Sequence, residues 1–254
     1  MRRLLLDLDG SAVITLVVLF GCTADEAGTK APADLGDTGP ADAADTADSG
    51  ETGDSADTGD SADTGVPVVS YDPWPFVEAV VSYVPGVGAG YGQDKFPDVV
   101  FGAPEAPGNG GGALDVLSFG DAGSIVVSFR ALDIVDGAGP DLLVFENPFT
   151  GWAETGVVAV SDDGVMWTEW PCAAEDAEGG YPGCAGVALV YANSTNGVDA
   201  TEPEVAGGDR FDLADIGVSR ARFVRVRDSG ANSYDGVSGG FDLDAMAVLN
   251  GEAW

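Results

Sequence analysis

From Pro67 onward the hydrophobic positions fall in short β-branched runs broken by Gly, Asp or Pro, and no stretch keeps a helical period over three turns. The runs predict strands at Val77–Val84, Asp98–Phe101, Ala113–Ser118, Ser124–Phe129, Asp141–Phe145, Gly156–Ser161, Val165–Trp170, Val187–Tyr191, Arg222–Arg227 and Phe241–Leu249. The sharpest local signal is a hairpin over Gly156–Trp170, where Ser161-Asp162-Asp163-Gly164 sets an Asp-Gly turn between two strands. Short strands at near-regular spacing with turn chemistry between them predict an all-β fold. A two-sheet antiparallel jelly-roll sandwich fits better than a parallel α/β fold, which needs crossover helices.

The chain before Pro67 has a different pattern. Arg2 and Arg3 precede an apolar run from Ala12 to Phe20, nine residues where a membrane-spanning helix needs about 20, so residues 1–21 read as an export signal, with Asp7 and Asp9 awkward within it. Leu19-Phe20-Gly21-Cys22 resembles a bacterial lipobox, which implies cleavage before Cys22 and acylation of that residue as a membrane anchor. The alternative is ordinary secretion with a free Cys22 thiol. Residues 22–66 are rich in Asp, Thr, Gly and Ala. From Thr23 to Val66 there is no aromatic residue, one lysine and twelve acids, ending in the echo Gly53-Asp-Ser-Ala-Asp-Thr and Gly59-Asp-Ser-Ala-Asp-Thr. Such a stretch buries nothing and repels itself, so it reads as a disordered, extended tether whose Thr and Ser are possible sugar attachment points. Calcium β-roll repeats have a nine-residue period with an apolar residue to pack inside, which this repeat lacks. Residues 67–254 hold every Trp and Tyr and form the folded domain.

Charge and composition narrow the function. Of 254 residues, 43 are acidic and 10 basic, a formal net charge of −33, and there is no histidine. The absence of His excludes Ser-His-Asp and Cys-His nucleophile systems and HExxH zinc sites. The negative surface excludes phosphate polymers, nucleic acid above all, and anionic lipid as partners; cations, neutral sugars and basic proteins remain.

Several motifs carry a resemblance. The run Val158-Ala-Val-Ser-Asp-Asp-Gly-Val-Met-Trp-Thr, the strand Ala221-Arg-Phe-Val-Arg-Val and the closing Phe241-Asp-Leu-Asp-Ala resemble the discoidin or galactose-binding-like jelly rolls. Pro85-Gly-Val-Gly, Gly137-Ala-Gly-Pro-Asp-Leu-Leu-Val-Phe-Glu-Asn-Pro-Phe, Gly207-Gly-Asp-Arg-Phe-Asp-Leu-Ala and Gly240-Phe-Asp-Leu-Asp-Ala resemble a group of bacterial cell-surface lipoproteins. This likeness runs from about Val80 to Asn250. It implies the galactose-binding-like fold and an exported lipoprotein on the outer membrane or cell surface, and it implies no substrate. Members of that fold often hold a structural calcium and bind glycans or lipids through loops at one end.

The residues themselves offer oxygen ligands in quantity. Ca²⁺ takes six to eight oxygens, and Gly-rich loops let carbonyls turn toward it. Asp136 and Asp141 flank such a loop, and Glu146-Asn147 closes the strand after it. Strand alternation at Phe241-Asp242-Leu243-Asp244-Ala245 predicts Phe241, Leu243 and Ala245 inward, with Asp242 and Asp244 together on the other face. The candidate calcium ligands are therefore Asp136, Asp141, Glu146, Asp242 and Asp244. Against this, 29 acids lie in the domain, so any pair can be ordinary solvated surface. Glu146 shares its strand face with Leu142 and Val144; an interior position there requires a partner or a metal, whereas a strand ending at Phe145 leaves it in solvent. Arg222, Arg225 and Arg227 are expected to pair with neighbouring acids, one of them with Glu146.

Cys172 and Cys184 flank an eleven-residue loop and are expected to form a disulfide in an oxidising compartment. Gly86-Val-Gly-Ala-Gly-Tyr-Gly lacks a following Lys-Ser/Thr and reads as a turn rather than a nucleotide loop, and Asn193-Ser194-Thr195 matches a glycosylation acceptor only at the level of chance. Tyr71, Trp74, Phe76, Tyr91, Tyr181, Tyr191 and Tyr234 lie in or near loops, where aromatic rings grip sugar faces or pack sandwich edges. The expected function is a membrane-anchored, monomeric binding module for a glycan or envelope component, touching the membrane only through its lipid. The alternatives are a structural or adhesive envelope protein without a small ligand, and a carboxylate-pair glycosidase, which needs only an acid and a base or nucleophile at about 5–9 Å.

Overall fold

A computed structural model describes residues 73–109, 111–231 and 239–254, all within the unit Thr64–Trp254. The signal segment, Cys22, the tether, Tyr71 and Tyr234 lie outside the described residues. Twelve strands follow in order: β1 (Val77–Val84), β2 (Leu117–Ser118), β3 (Ser124–Phe129), β4 (Leu132–Val135), β5 (Leu142–Glu146), β6 (Gly156–Ser161), β7 (Thr168–Glu169), β8 (Asp209–Phe211), β9 (Arg220–Ala221), β10 (Phe223–Asp228), β11 (Asp242–Val248) and β12 (Gly251–Ala253). One helical turn, α1 (Pro203–Ala206), and three 3₁₀ turns accompany them.

The strands form two sheets with antiparallel pairing. The larger runs β12-β4-β3-β10-β6-β7, with β1 also on β3 and β9 on β4; the smaller runs β2-β11-β5-β8. Between them lies the main core, including Phe119, Ile125, Val127, Ile134, Val158, Val224, Phe241 and Leu243. The smaller sheet is covered on its other side too, where Leu143, Phe145, Ala245 and Ala247 pack with Val116, Val190, Ala192 and Ala206 from the long loops. Hence β5 and β11 are buried along their whole length, and both are apolar apart from Glu146 at the end of β5 and Asp242 and Asp244 at the start of β11. Gly156 sits where this packing is tightest: a Cβ there would come within 2.5 Å of the Phe241 ring.

The predicted strands β1, β3 and β6 form over the expected residues, and those at β5, β10 and β11 shift by a residue or two. Where strands fail to form, a side chain or a proline has taken the backbone. Asp98–Val100 is a 3₁₀ turn, because Pro97 adopts φ −88° and ψ −7° instead of extending, and its carbonyl accepts the Val100 N–H. In Val165–Trp170 the Asp163 carboxylate accepts the N–H groups of Val165 and Met166, leaving only Thr168–Glu169 for the ladder. At Val187–Tyr191 the Asp209 carboxylate accepts from Val187 and Ala188, and at Ala113–Ser118 the Ala113 N–H goes to Asn147 Oδ1. Carboxylates and amides thus compete with ladder carbonyls for backbone donors.

The Cys172–Cys184 disulfide is formed. Asp133 in β4 is fully buried and is clamped by Arg220 and Arg222. Burial alone would raise its carboxyl, but the Arg222 and Arg220 guanidiniums bonded to it hold it below the usual carboxylate range.

Candidate functional site

At one end of the smaller sheet, β5 delivers Glu146 and Asn147, and β11 begins with Asp242 opposite Ser118 of β2. The chain after Asn147 turns back on itself, with the Trp152 N–H donating to the Phe149 carbonyl at 2.9 Å. Gly112 approaches this turn so closely that a Cβ on it would lie 2.2 Å from the Phe149 ring. Opposite, the Tyr91 hydroxyl donates to the Leu114 carbonyl at 2.8 Å and holds the 111–116 loop. These segments enclose an open cleft of about 600 Å³, rimmed by Tyr91, Leu114, Phe149 and Trp152 and floored by Asn147, Glu154 and Asp242. Leu114, Phe149 and Trp152 are 78%, 53% and 48% exposed, so the rim presents apolar and aromatic surface to solvent.

The floor is electrostatically unusual. Glu146 is 1% exposed and Asp242 6% exposed, and Glu154 is half-buried beside them. Glu146 Oε2, Glu154 Oε1 and Asp242 Oδ1 are each enclosed without a hydrogen-bond partner. Glu146 retains only a long contact, 3.4 Å, from the Asp242 N–H to its Oε1. Burial pushes the Glu146 carboxyl well above its ordinary range, and the charges of Asp242, Glu154 and Asp209 push it further. Glu154 is raised to about 7 by burial and by Asp242, against hydrogen bonds from the Gly240 backbone and the Trp152 side chain. Asp242 is raised to about 6 by burial, with Ser118 and Asn147 side chains bonding to it in opposition.

The five expected calcium ligands therefore divide among three places. Asp242 lines the cleft floor, and Glu146 is buried behind it, within electrostatic reach of Asp242 and Glu154. Asp136 and Asp141 stand at the other end of β5, where with Asp212 they form a carboxylate triad with ligand oxygens within 4.8 Å of one another, a grouping able in principle to hold a metal. Within it Asp141 is fully buried, accepting from Gly137 N–H and Asn250 Nδ2 at 2.9 Å on Oδ1 and from Leu213 N–H at 2.8 Å on Oδ2. Asp244 is separate: it is 3% exposed and accepts the Glu105 and Ala106 N–H groups. Burial raises its carboxyl to about 7, and those two amides oppose the rise.

The expectation that Ala245 points inward with Phe241 and Leu243 is overturned, and Asp242 and Asp244 bond to different partners. The β11 register shifts between Leu243 and Ala245, so that Leu243 pairs with Glu146 and Ala245 with Phe145. This irregularity reverses the alternation: Phe241 and Leu243 enter the main core, whereas Ala245 and Ala247 face the outer one. The strand β5 continues through Glu146, so that carboxylate is interior. Among the described residues no arginine serves it: Arg222 pairs with Asp133, and Arg225 and Arg227 pair with Glu169.

Glu154, Asp209 and Asp212 were not among the residues singled out from sequence. Asp209 and Asp212 lie in the quoted Gly-Gly-Asp-Arg-Phe-Asp run, and Glu154 follows Trp152 just before β6. An acid between an exposed aromatic and a buried strand is the signal that was available for Glu154. Compared with known proteins, the chain matches no protein-family model and no curated protein.

Proposed function

We propose that the domain is a cell-surface binding module that takes a glycan or another envelope component in the cleft between Tyr91, Phe149 and Trp152. The observation that carries this reading is the cleft itself, in which exposed aromatic rings stand over Asn147 and carboxylates. Ring faces pack against the C–H faces of sugars, while carboxylates and amides accept from sugar hydroxyls. In this reading the two antiparallel sheets are a galactose-binding-like jelly roll. The protein is an exported, monomeric lipoprotein of the outer membrane or cell surface, attached through acylated Cys22 and held off the bilayer by the 22–66 tether. Nucleic acid is not a partner. Calcium at Asp136, Asp141 and Asp212 is structural, bracing the loop between β4 and β5.

The test is a glycan and envelope-extract screen with the purified protein, followed by titration of whatever binds. Trp152→Ala is expected to weaken that binding by about five-fold, since one stacking contact is worth roughly 1 kcal/mol, while leaving the melting temperature near wild type. Absence of any ligand, or binding indifferent to Trp152 and Phe149, overturns the proposal. A second reading, glycoside hydrolysis, is favoured by Glu154 near pH-neutral titration beside Asp242 in an open cleft. It is checked in the same screen by release of reducing sugar that Glu154→Gln abolishes.

A further inference from the structure

We propose that Glu154 and Asp242 on the floor of the cleft, with Glu146 buried behind them, bind a divalent cation of the calcium class at a site distinct from the Asp136 triad. Two independent observations meet there. The first is that each of the three side chains holds an enclosed carboxylate oxygen with no partner, and in Glu146 the side chain is 99% removed from solvent. An orphaned buried acceptor is costly, and three within electrostatic reach of one another are costlier still. The second is that no basic side chain among the described residues pairs with them. There is no histidine, and the seven basic residues after Val66 are committed elsewhere. Lys95 pairs with Asp115, Arg130 with Glu78, Arg210 with Glu204, Arg220 and Arg222 with Asp133, and Arg225 and Arg227 with Glu169.

Only protons or a cation from solution can therefore compensate the floor, and the donor set favours a cation. Three carboxylates supply hard oxygens alone, which select Ca²⁺ or a similar hard ion over thiol- and imidazole-seeking metals. Ca²⁺ also tolerates irregular geometry and completes its shell with water, for which the open cleft leaves room. The contrast with the Asp136 triad is informative. That triad is tighter, with its oxygens within 4.8 Å, but Asp141 has both oxygens bonded to protein donors. The cleft carboxylates are spread wider than this, and two of them are glutamates, whose longer side chains can close on an ion.

The experiment strips the whole protein with chelator and titrates it with Ca²⁺, following melting temperature and calorimetric binding in wild type, Glu154→Gln, Asp242→Asn and Asp136→Asn. Saturating Ca²⁺, at about a hundred times its dissociation constant, is expected to raise the wild-type melting temperature by about 5–10 °C. Glu154→Gln and Asp242→Asn are expected to weaken the cleft binding at least ten-fold, whereas Asp136→Asn removes only an ion of the triad and leaves the cleft binding in place. Tb³⁺ gives a second readout that does not depend on stability. Bound beneath Trp152, it luminesces on tryptophan excitation, and Trp152→Phe removes most of that signal without removing a ligand. The proposal is overturned by the absence of Ca²⁺ binding at millimolar concentration, or by binding that Asp136→Asn abolishes and Glu154→Gln spares. Because only the metal is added, the result is independent of whether the cleft takes a glycan.

Discussion

Asp209 lies 8% exposed in β8, and its carboxylate accepts the N–H groups of Gly186, Val187 and Ala188 at 2.7 to 3.1 Å. A backbone loop that would otherwise extend beside the smaller sheet is instead wrapped around one side chain. Burial raises this carboxyl from 3.8 to about 6, and the three amides limit the rise. The charged form is thus less favourable in the fold than in the unfolded chain. Its contribution to stability is full below about pH 4 and is lost as pH climbs through about 6. Asp209→Asn removes that dependence but keeps only one acceptor oxygen for three donors, so the variant is expected to start about 1–3 kcal/mol less stable at pH 4. The gap to wild type should then narrow toward pH 7. Urea unfolding at a series of pH values measures it, and a constant gap would show that Asp209 does not titrate in this interval.

At the scale of elements, the domain is tied by side chains as much as by ladders. Asp228 accepts from Ala122, Gly230 and Phe241, Asp244 from Glu105 and Ala106, and Asp141 from residues on both sides of β5. Sequence periodicity therefore located β1, β3 and β6 well, where the ladder is continuous. It overextended strands around Val165 and Val187, where an aspartate two to three residues away in one case and more than twenty in the other had already taken the donors. It passed over β4, β8, β9 and β12, two to four residues each, because so short a segment has no period to read. The loop from β7 toward Gly186 is closed instead by the Cys172–Cys184 disulfide, twelve residues apart in sequence. Replacing both cysteines with serine is expected to cost about 2–3 kcal/mol, or about 5–10 °C in melting temperature. Calorimetry of the variant, and of wild type under reductant, should agree; an unchanged melting point would mean that the hydrogen bonds of this loop suffice.

Across the whole molecule the excess of acid is the dominant long-range feature. Twenty-nine acids face seven bases after Val66, and with every base already paired, the remaining carboxylates repel one another through solvent. Raising monovalent salt from about 0.01 to 0.15 M shortens the screening length from about 30 to 8 Å, and is expected to raise the melting temperature by a few degrees before any divalent ion is added. A fall instead would show that the surface ion pairs outweigh the repulsion. The all-β class, the edges of β1, β3 and β6, the cysteine pairing and the acidic character were determined by the sequence alone, because each follows from local periodicity, residue type or count. Glu146 and Asp242 were also legible as acids in apolar strands. Their union with Glu154, the separation of Asp244 from Asp242, and the joining of Asp212 to Asp136 and Asp141 were decided only by tertiary structure. One irregularity in β11 changes which face Ala245 occupies, and only the packing of distant loops determines which acids lose their water together.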